Sequence, residues 1–422
     1  MRVPRTAAVI VLSLLVALAA AAGPAFAQQQ SSGVAVTAAQ TAVGKVLFTS
    51  GGRALYELSF DGLTPGKSSC GYANHCANAW LPLLAPGPNG PFDASEGVDA
   101  GHLGTIPRTD ANGNTVDQVT YFGRPLYQFV RDTASGNING ENVAAYFGIW
   151  NLLDIRGRPD AGQASVSLEL SGAGPVLDSA TAFGGHRSLY LLTADPSQAT
   201  TCTGPCAAVW PPLLTTERPA AGPGVLADGL GTLRRPDGTL QVTYFGVPVY
   251  RFAFDSPPGA PSGLTNGEYF IDPLAFGVWY LLGPSGVASP GPAQIGTEAS
   301  TLGTMGRILS ISPASNTGQA YTLYAFSADT ATTSACNELC ARVWMPVITS
   351  TPPAAVAGAG LDPTRLGSIL RQDGTFQVTY GGHPLYLFAH DRIPPPITTN
   401  GQGITAFGGT FDVVDPSGTP VK

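Results

Sequence analysis

The chain of 422 residues has little charge and no basic cluster. Lys, Arg, Asp and Glu together make up 12% of its residues, about half of the share in an average protein. The formal net charge is −7, and no stretch is dense in Lys and Arg. A nucleic-acid partner requires a basic face on the protein. We therefore expect no nucleic-acid partner.

The chain also lacks the short signatures of common enzyme active sites. It has no Gly-x-Ser-x-Gly elbow, no His-Glu-x-x-His and no Walker loop. Its histidines do not recur at equivalent positions of the repeat described below. These residues are His75, His102, His186, His383 and His390. We expect no cofactor, no metal and no enzyme activity. Two alternatives stay open: a site formed by His383 and His390 in the third module alone, and an active site of carboxylates that are distant in sequence and meet only in the folded chain.

Long apolar runs are missing as well, except at the N-terminus. Arg2 and Arg5 precede an apolar run at residues 7–22, and residues 25–27 (Ala-Phe-Ala) form a small-x-small cleavage site. This pattern predicts a signal peptide, residues 1–27, and a secreted, extracellular protein. No further run of about 18 apolar residues follows, so no membrane span is expected after cleavage. No Cys follows the apolar run, so no lipid attachment is expected there.

A segment that occurs three times dominates the rest of the chain. The copies lie at residues 118–132, 241–255 and 377–391. Each copy begins Gln-Val-Thr-Tyr, continues through Gly and Pro, and ends in Phe-x-x-Asp. Apolar alternation on both sides of the Gly and Pro predicts a two-stranded hairpin with its turn at these two residues.

The repeat predicts an all-β protein of three tandem modules. The high content of Gly (53) and Pro (37) favours short strands joined by turns. Gly/Pro-rich linkers place the modules at residues 34–156, 163–283 and 293–416. A Tyr-x-(Leu/Phe)-x-x-Asp pattern occurs twice in each module, so each module consists of two related β-units. The alternative architecture is a single propeller-like ring in which the six half-units act as blades.

The aspartates that end this pattern are interpreted as turn caps, because calcium binding needs several converging oxygen ligands. They are Asp61, Asp132, Asp195, Asp255, Asp329 and Asp391.

The cysteines fall into one close pair per module. The pairs are Cys70 and Cys76, Cys202 and Cys206, and Cys336 and Cys340. A secreted location and this even distribution favour a local disulfide in each module. Redox-active thiols and metal ligands are the alternatives.

One tryptophan follows each cysteine pair: Trp80, Trp210 and Trp344. The simpler interpretation is that each indole fills the core of its module, because Trp is mostly buried in proteins. The functional interpretation is an exposed aromatic platform that binds a glycan or polymer, with three copies that bind multivalently.

The combination of these motifs resembles a bacterial family of secreted repeats and lipoproteins of unknown function, known for the Tyr motif. The resemblance is carried by residues 206–214 (Cys-Ala-Ala-Val-Trp-Pro-Pro-Leu-Leu) together with the repeat at 241–255, and it covers most of the mature chain. It implies a β-rich secreted or envelope protein with no established activity. The chain departs from the family by lacking the lipid-attachment Cys, and Leu81 and Met345 replace the first Pro of the Trp segment.

These observations favour a secreted, non-catalytic repeat protein with a binding or structural role at the cell envelope. Its partner would be a glycan, an envelope polymer or another protein. One alternative is a redox or metal-handling protein that uses the Cys–Trp loops. A second is a carboxylate enzyme, which would be recognised by a deep pocket with two carboxylates and a shifted pKa.

Overall fold

The computed structural model of the protein describes residues 33–160, 162–171, 173–180, 185–255, 264–272, 277–291, 293–300, 306–312, 320–349, 356–391 and 397–422. The predicted signal peptide lies outside the described residues. Short strands dominate the described part, which confirms the all-β prediction. None of the helices in the described part has the length and apolar character needed to cross a bilayer.

The strands of the first module are β1 (Val34–Thr41), β2 (Gly44–Thr49), β3 (Tyr56–Leu58), β4 (Trp80–Pro82), β5 (Leu84–Ala85), β6 (Phe92–Ala94), β7 (Leu103–Thr109), β8 (Thr115–Tyr121), β9 (Arg124–Pro125), β10 (Tyr127–Phe129), β11 (Val143–Ala145), β12 (Gly148–Leu153) and β13 (Pro159–Asp160). Those of the second module are β14 (Ser165–Ser171), β15 (Gly174–Ala180), β16 (His186–Ser188), β17 (Tyr190–Leu192), β18 (Leu214–Thr215), β19 (Ala220–Ala221), β20 (Leu230–Arg234), β21 (Leu240–Tyr244), β22 (Val247–Pro248), β23 (Phe270–Asp272) and β24 (Gly277–Leu281).

The strands of the third module are β25 (Gln294–Ala299), β26 (Arg307–Ser312), β27 (Tyr321–Thr322), β28 (Tyr324–Phe326), β29 (Trp344–Pro346), β30 (Ile348–Thr349), β31 (Val356–Ala357), β32 (Leu366–Leu370), β33 (Phe376–Tyr380), β34 (His383–Phe388), β35 (Ile404–Ala406) and β36 (Gly409–Val413). The helices are α1 (Cys76–Ala79), α2 (Pro205–Val209) and α3 (Leu339–Val343), with 3-10 helices at Ser59–Leu63, Ala100–His102, Ala227–Gly229, Ala253–Asp255 and Pro363–Arg365.

Each module opens with an antiparallel hairpin that accepts a short parallel strand on its first arm. In the first module β1 pairs with β2 and with β6. The corresponding sets are β14 with β15 and β19, and β25 with β26 and β31. The repeated sequence therefore folds into a repeated topology.

The strands that carry the Tyr motif lie side by side in each module. β3 pairs with β12 and with β10, and the register places Tyr56 directly opposite Tyr127. The second and third modules place Tyr190 opposite Tyr250 and Tyr324 opposite Tyr386. β3 is short, because the chain passes into a 3-10 helix at Ser59.

The turn of the repeated hairpin lies one residue earlier than predicted. Phe122 and Gly123 form the turn, both with positive φ, and Pro125 is already paired with Thr120. A two-residue turn with two positive φ values matches the right-handed twist of the flanking strands. The prediction that Gly and Pro form the turn was therefore wrong for Pro, which starts the second arm.

Residues Gly33–Lys422 form one compact unit. A single hydrophobic cluster runs from Ala164 in the second module to Val414 in the third. The first module has two clusters of its own, one around Trp80 and one around Tyr121. In the described residues, no such cluster of buried residues joins the first and second modules.

The alternative of a six-bladed ring is not confirmed. In the described residues the sheets contain from three to eight strands, whereas a propeller repeats blades of similar size around a channel.

Candidate functional site

The cysteine pairs are joined as disulfides, as predicted, and none of the six cysteines is free. Their side chains are buried. Each bond closes the loop in front of a short helix, and the backbone N–H of the following Trp donates to the carbonyl of the second Cys. Thiol–disulfide exchange requires access to the sulfur, so this burial argues against redox-active loops.

A buried arginine holds each cysteine loop in place. Arg235 donates from Nη1 to Gln241 Oε1 (2.5 Å) and from Nη2 to the Cys202 carbonyl (2.8 Å). Gln241 in turn donates to the Val249 carbonyl (2.9 Å). The same contacts join Arg108, Gln118 and Cys70, and Arg371, Gln377 and Cys336.

The sequence reasoning missed this Arg–Gln pair. Its signal was the recurrence of Arg and Gln at fixed positions in all three modules. A guanidinium can bridge a side chain and a carbonyl because its donors form a rigid planar fork. The role of these repeated polar residues is therefore to fix the loop.

The tryptophans are buried, so the hypothesis of an exposed aromatic platform is corrected. Trp80 is 1% exposed and lies between Trp150 (ring centroids 3.8 Å apart) and Phe129 (4.2 Å). The equivalent stacks are Phe252, Trp210 and Trp279, and Phe388, Trp344 and Phe411. Burial of three stacked rings removes a large apolar area from water, which explains why these residues face inward.

A glycine closes each stack from the side. A Cβ on Gly140 would lie 2.8 Å from the Trp80 ring, and a Cβ on Gly401 would lie 2.6 Å from the Trp344 ring. Only a residue without a side chain can approach the indole so closely.

The two Tyr motifs of each module exchange their partners. Tyr56 donates to Asp132 Oδ2 (2.7 Å), and Tyr127 donates to Asp61 Oδ2 (2.6 Å). The other pairs are Tyr190 with Asp255, Tyr250 with Asp195, Tyr324 with Asp391 and Tyr386 with Asp329. Because the two tyrosines lie opposite each other, each motif binds the end of the other one.

The second oxygen of each aspartate accepts a backbone N–H from the loop that follows. Asp61 Oδ1 accepts from Ser69 (2.6 Å), and Asp132 Oδ1 accepts from Asn139 (2.8 Å). The aspartates therefore do cap loops, but over six to eleven residues rather than in the local turn that we expected, and the Tyr contact was not anticipated.

Burial changes the titration of these aspartates. Desolvation raises the pKa of Asp61 and of Asp255 to about 7 and that of Asp391 to about 6, although the hydrogen bonds from Tyr and the backbone lower it. The same shift occurs in all three modules. The raised pKa is thus a property of the repeated Tyr–Asp pair.

We predict that Tyr127→Phe lowers the free energy of unfolding by about 1 to 2 kcal/mol, because Asp61 loses a donor inside the protein. Tyr146→Phe is the control, since the described residues offer no hydrogen-bond partner to its hydroxyl, and its effect should stay within about 0.5 kcal/mol. Urea denaturation followed by fluorescence measures both. Equal effects would show that the Tyr–Asp hydrogen bond does not stabilise the module.

A cleft of about 410 Å³ lies between the first and second modules. Its floor carries Glu57, Arg124 and Asn151 of the first module. Glu57 is 2% exposed and accepts from Arg124 Nη1 (2.9 Å) and from Asn151 Nδ2 (3.0 Å). The facing wall comes from the second module and includes Pro211 and Pro212.

The corresponding positions of the second module are apolar. The strand register matches Glu57, Arg124 and Asn151 with Leu191, Val247 and Tyr280. These residues belong to or pack against the cluster shared with the third module, and Tyr280 donates to the Pro346 carbonyl (2.9 Å). The cleft therefore occurs where the first module carries the Glu57–Arg124 ion pair. The second module uses the equivalent positions to pack against the third module.

The cleft has features of the pocket that would indicate a carboxylate enzyme, since Glu57 and Asp61 both line it. Every oxygen of these two carboxyl groups already accepts a hydrogen bond, however. Asp61 binds Ser69 and Tyr127, and Glu57 binds Asn151 and Arg124. A general acid or base needs a carboxyl group that can reach the substrate, whereas both of these groups are engaged in hydrogen bonds within the first module.

The remaining histidine hypothesis concerns His383 and His390. In the part of the chain that the structure describes, neither belongs to a group of three potential metal ligands. His383 pairs with Tyr380 beside a hairpin turn, and His390 follows β34. Among the described residues, one group of three potential ligands does occur, in the second module.

Comparison with known proteins identifies a family whose model matches one segment in each module. Residues 109–153, 231–268 and 367–414 match a family described as a secreted repeat of unknown function. No curated protein and no solved structure matches the chain. Each matched segment contains the second Tyr motif of its module. The segments in the first and third modules also include β12 and β36, whereas the segment in the second module ends before β23. The chain therefore carries three segments that match this secreted repeat, one in each module.

Proposed function

We propose that this is a secreted, extracellular, non-catalytic protein that binds a carboxylate-bearing glycan in the cleft between its first two modules. The observation that carries the proposal is the ion pair of Glu57 and Arg124 on the cleft floor. It lies where the second module has Leu191 and Val247. The pair is not needed to build a module, so its presence there indicates a use other than folding.

The chemistry of Arg124 favours an acidic, oxygen-rich ligand. A guanidinium has five N–H donors, and the ion pair with Glu57 uses Nη1 only. The Arg124 side chain is 35% exposed, and the exposed Lys67 lines the same cleft. Arginine binds carboxylates in a planar, bidentate geometry, which suits a uronic acid of a glycan or envelope polymer.

The rest of the molecule supports binding rather than catalysis. The repeated polar residues are used inside the modules, where they fix loops and strand ends. The volume of the cleft lies within the usual range of small-ligand sites, about 300 to 1,000 Å³. A stapled, densely packed scaffold holds such a site without a change of shape, which reduces the entropic cost of binding.

The test is a double substitution that installs the residues of the second module, Glu57→Leu with Arg124→Val. It removes both charges together, so no buried charge is left unpaired. We expect the wild-type protein to bind acidic members of a panel of carboxylated and neutral oligosaccharides in calorimetric titrations. The double variant should bind them at least tenfold more weakly while its circular dichroism stays unchanged.

Arg342→Gln is the matched control, because Arg342 is an exposed cation on α3, far along the chain in the third module. Its binding should equal that of the wild type. Binding of neutral sugars alone, equal binding by the double variant, or no binding to any acidic sugar would contradict the proposal and favour a purely structural role at the envelope.

A further inference from the structure

A cluster of ligand-type side chains lies on one face of the sheet that opens the second module. The register of β14, β15 and β16 places Ser167 opposite Asp178, and Ala180 opposite His186. Residues opposite each other in antiparallel strands direct their side chains to the same face. Glu169 is two residues from Ser167 and therefore shares that face. One atom each of Glu169, Asp178 and His186 lies within 4.8 Å of the others.

The contacts within the cluster bring the carboxyl groups of Glu169 and Asp178 close together. Asp178 is buried and binds His186 Nδ1 through Oδ2 (2.5 Å) and the Ser167 hydroxyl through Oδ1. Glu169 also contacts Asp178, so two carboxyl groups meet. Two carboxylates at this distance repel each other unless a proton or a cation lies between them.

Two buried polar atoms beside the cluster have no partner in the part of the chain that the structure describes. They are Glu169 Oε2 and Ser188 Oγ. Ser188 is 1% exposed and lies directly opposite Asp178 in the strand register, so its hydroxyl is directed to the same face. A buried polar atom without a hydrogen bond costs free energy, which a bound ion or its water ligand would recover.

The equivalent sheet of the third module lacks this cluster. The third module has Glu298, Ser310 and Ala320 at the positions of Glu169, Asp178 and His186. That module forms the same sheet without the Asp and the His. The ligand-type residues are therefore not required by the fold.

We propose that Glu169, Asp178 and His186 bind a divalent transition-metal ion, with Zn²⁺ as the preferred occupant. One imidazole nitrogen and two carboxylate oxygens are a ligand set that Zn²⁺ accepts, and a water molecule would complete four-coordination. The Ser167 hydroxyl holds the second oxygen of Asp178 and so orients this ligand from outside the metal shell.

Access and local charge are compatible with the proposal. The His186 side chain is 40% exposed, which opens the cluster to solvent. Arg187 is the nearest cation on the same strand, but the alternation of β16 directs its side chain to the other face, and it donates to the His186 carbonyl (2.8 Å). Binding requires the His186–Asp178 hydrogen bond to open, because ligands of a tetrahedral Zn²⁺ lie about 3.3 Å apart.

The test uses the untagged, full-length secreted protein, stripped of metal and titrated with Zn²⁺ alone. Native mass spectrometry and calorimetry should show one Zn²⁺ per chain. The double variant Asp178→Ser with His186→Ala, which installs the residues of the third module, should lower the Zn²⁺ affinity at least 100-fold. Glu169→Gln keeps the shape of this partly exposed side chain and should lower the Zn²⁺ affinity at least tenfold.

Glu298→Gln is the control, because Glu298 occupies the position of Glu169 in a sheet that lacks the other two ligands; its affinity should equal that of the wild type. Absence of a stoichiometric Zn²⁺ ion would overturn the proposal. An unchanged affinity in Glu169→Gln would also overturn it, even if the double variant failed to fold. The proposal is independent of the cleft, since neither variant alters the residues that line it.

Discussion

Replacement of Trp80 by alanine is expected to lower the free energy of unfolding by about 3 to 5 kcal/mol, the usual cost of removing a buried Trp side chain. Trp80 is the middle ring of a stack with Trp150 and Phe129. Its removal leaves a cavity bounded by both neighbours and by the disulfide of Cys70 and Cys76, which belong to the same cluster. Guanidinium denaturation of the intact protein measures the loss.

Trp150→Phe is the matched control within the same stack. The third module already has Phe411 at this position, stacked on Trp344 with ring centroids 3.8 Å apart. In addition, Trp150 Nε1 has no hydrogen-bond partner among the described residues, so the substitution breaks no such bond. We expect a loss below about 2 kcal/mol. If Trp80→Ala costs no more than this control, the stack is not the main source of stability in the module.

The second large effect concerns Glu268. Its replacement by glutamine is expected to stabilise the protein by on the order of 5 kcal/mol at pH 9 and very little at pH 4. Glu268 is fully enclosed, and burial raises its pKa to about 8. Its Oε2 accepts from the Leu281 N–H (2.7 Å), whereas Oε1 has no partner in the described part of the chain.

The direction of this pH dependence follows from whether the folded or the unfolded protein holds the proton of Glu268. Between the ordinary pKa of about 4.5 and the folded pKa of about 8, the folded protein keeps a proton that the unfolded chain releases. Folding stability therefore decreases as the pH rises through this window, and the full penalty is present above pH 8. Glutamine is neutral at every pH, so the variant loses this dependence while it keeps the acceptor for Leu281.

The third module provides both the precedent and the reverse experiment. It has Gln402 at the position of Glu268; Gln402 Oε1 accepts from Val413 (2.7 Å) and Nε2 donates to the Val421 carbonyl (2.7 Å). Gln402→Glu should introduce a penalty that grows from pH 5 to pH 9, increased by the nearby Asp412, to which the amide donates at present. Thermal unfolding of both variants at pH 4, 7 and 9 tests the pair. Parallel pH profiles for Glu268→Gln and the wild type would contradict the raised pKa.

The sequence predicted those parts of the structure that depend on local pattern. Alternation in residues 118–132 located the hairpin, and the spacing of Cys202 and Cys206 indicated a local disulfide, because both features involve neighbours along the chain. The turn was misplaced by one residue because Phe122 takes a positive φ, which is uncommon for an aromatic residue.

The exchange of partners between the two Tyr motifs could not be read from the sequence. Each Tyr lies five residues before the Asp of its own motif, so the pattern looks local. The actual partners, such as Tyr56 and Asp132, are 76 residues apart. Only the pairing of β3 with β10 brings them together, and a pattern along one strand carries no information about its neighbour in the sheet.

Contacts between distant parts of the chain also separate what the sequence decides about this protein from what the tertiary structure decides. Sequence by itself determined the all-β class and the threefold repeat, and it favoured a local disulfide in each module and a resemblance to a secreted repeat family, since these follow from composition, spacing and recurrence. Tertiary structure decided that the tryptophans are buried, that Glu57 and Arg124 form the floor of a cleft, and that Glu169, Asp178 and His186 meet on one face. Those outcomes depend on which modules and strands pack against each other, because burial, ion pairing and ligand geometry arise from contacts between residues far apart in the chain.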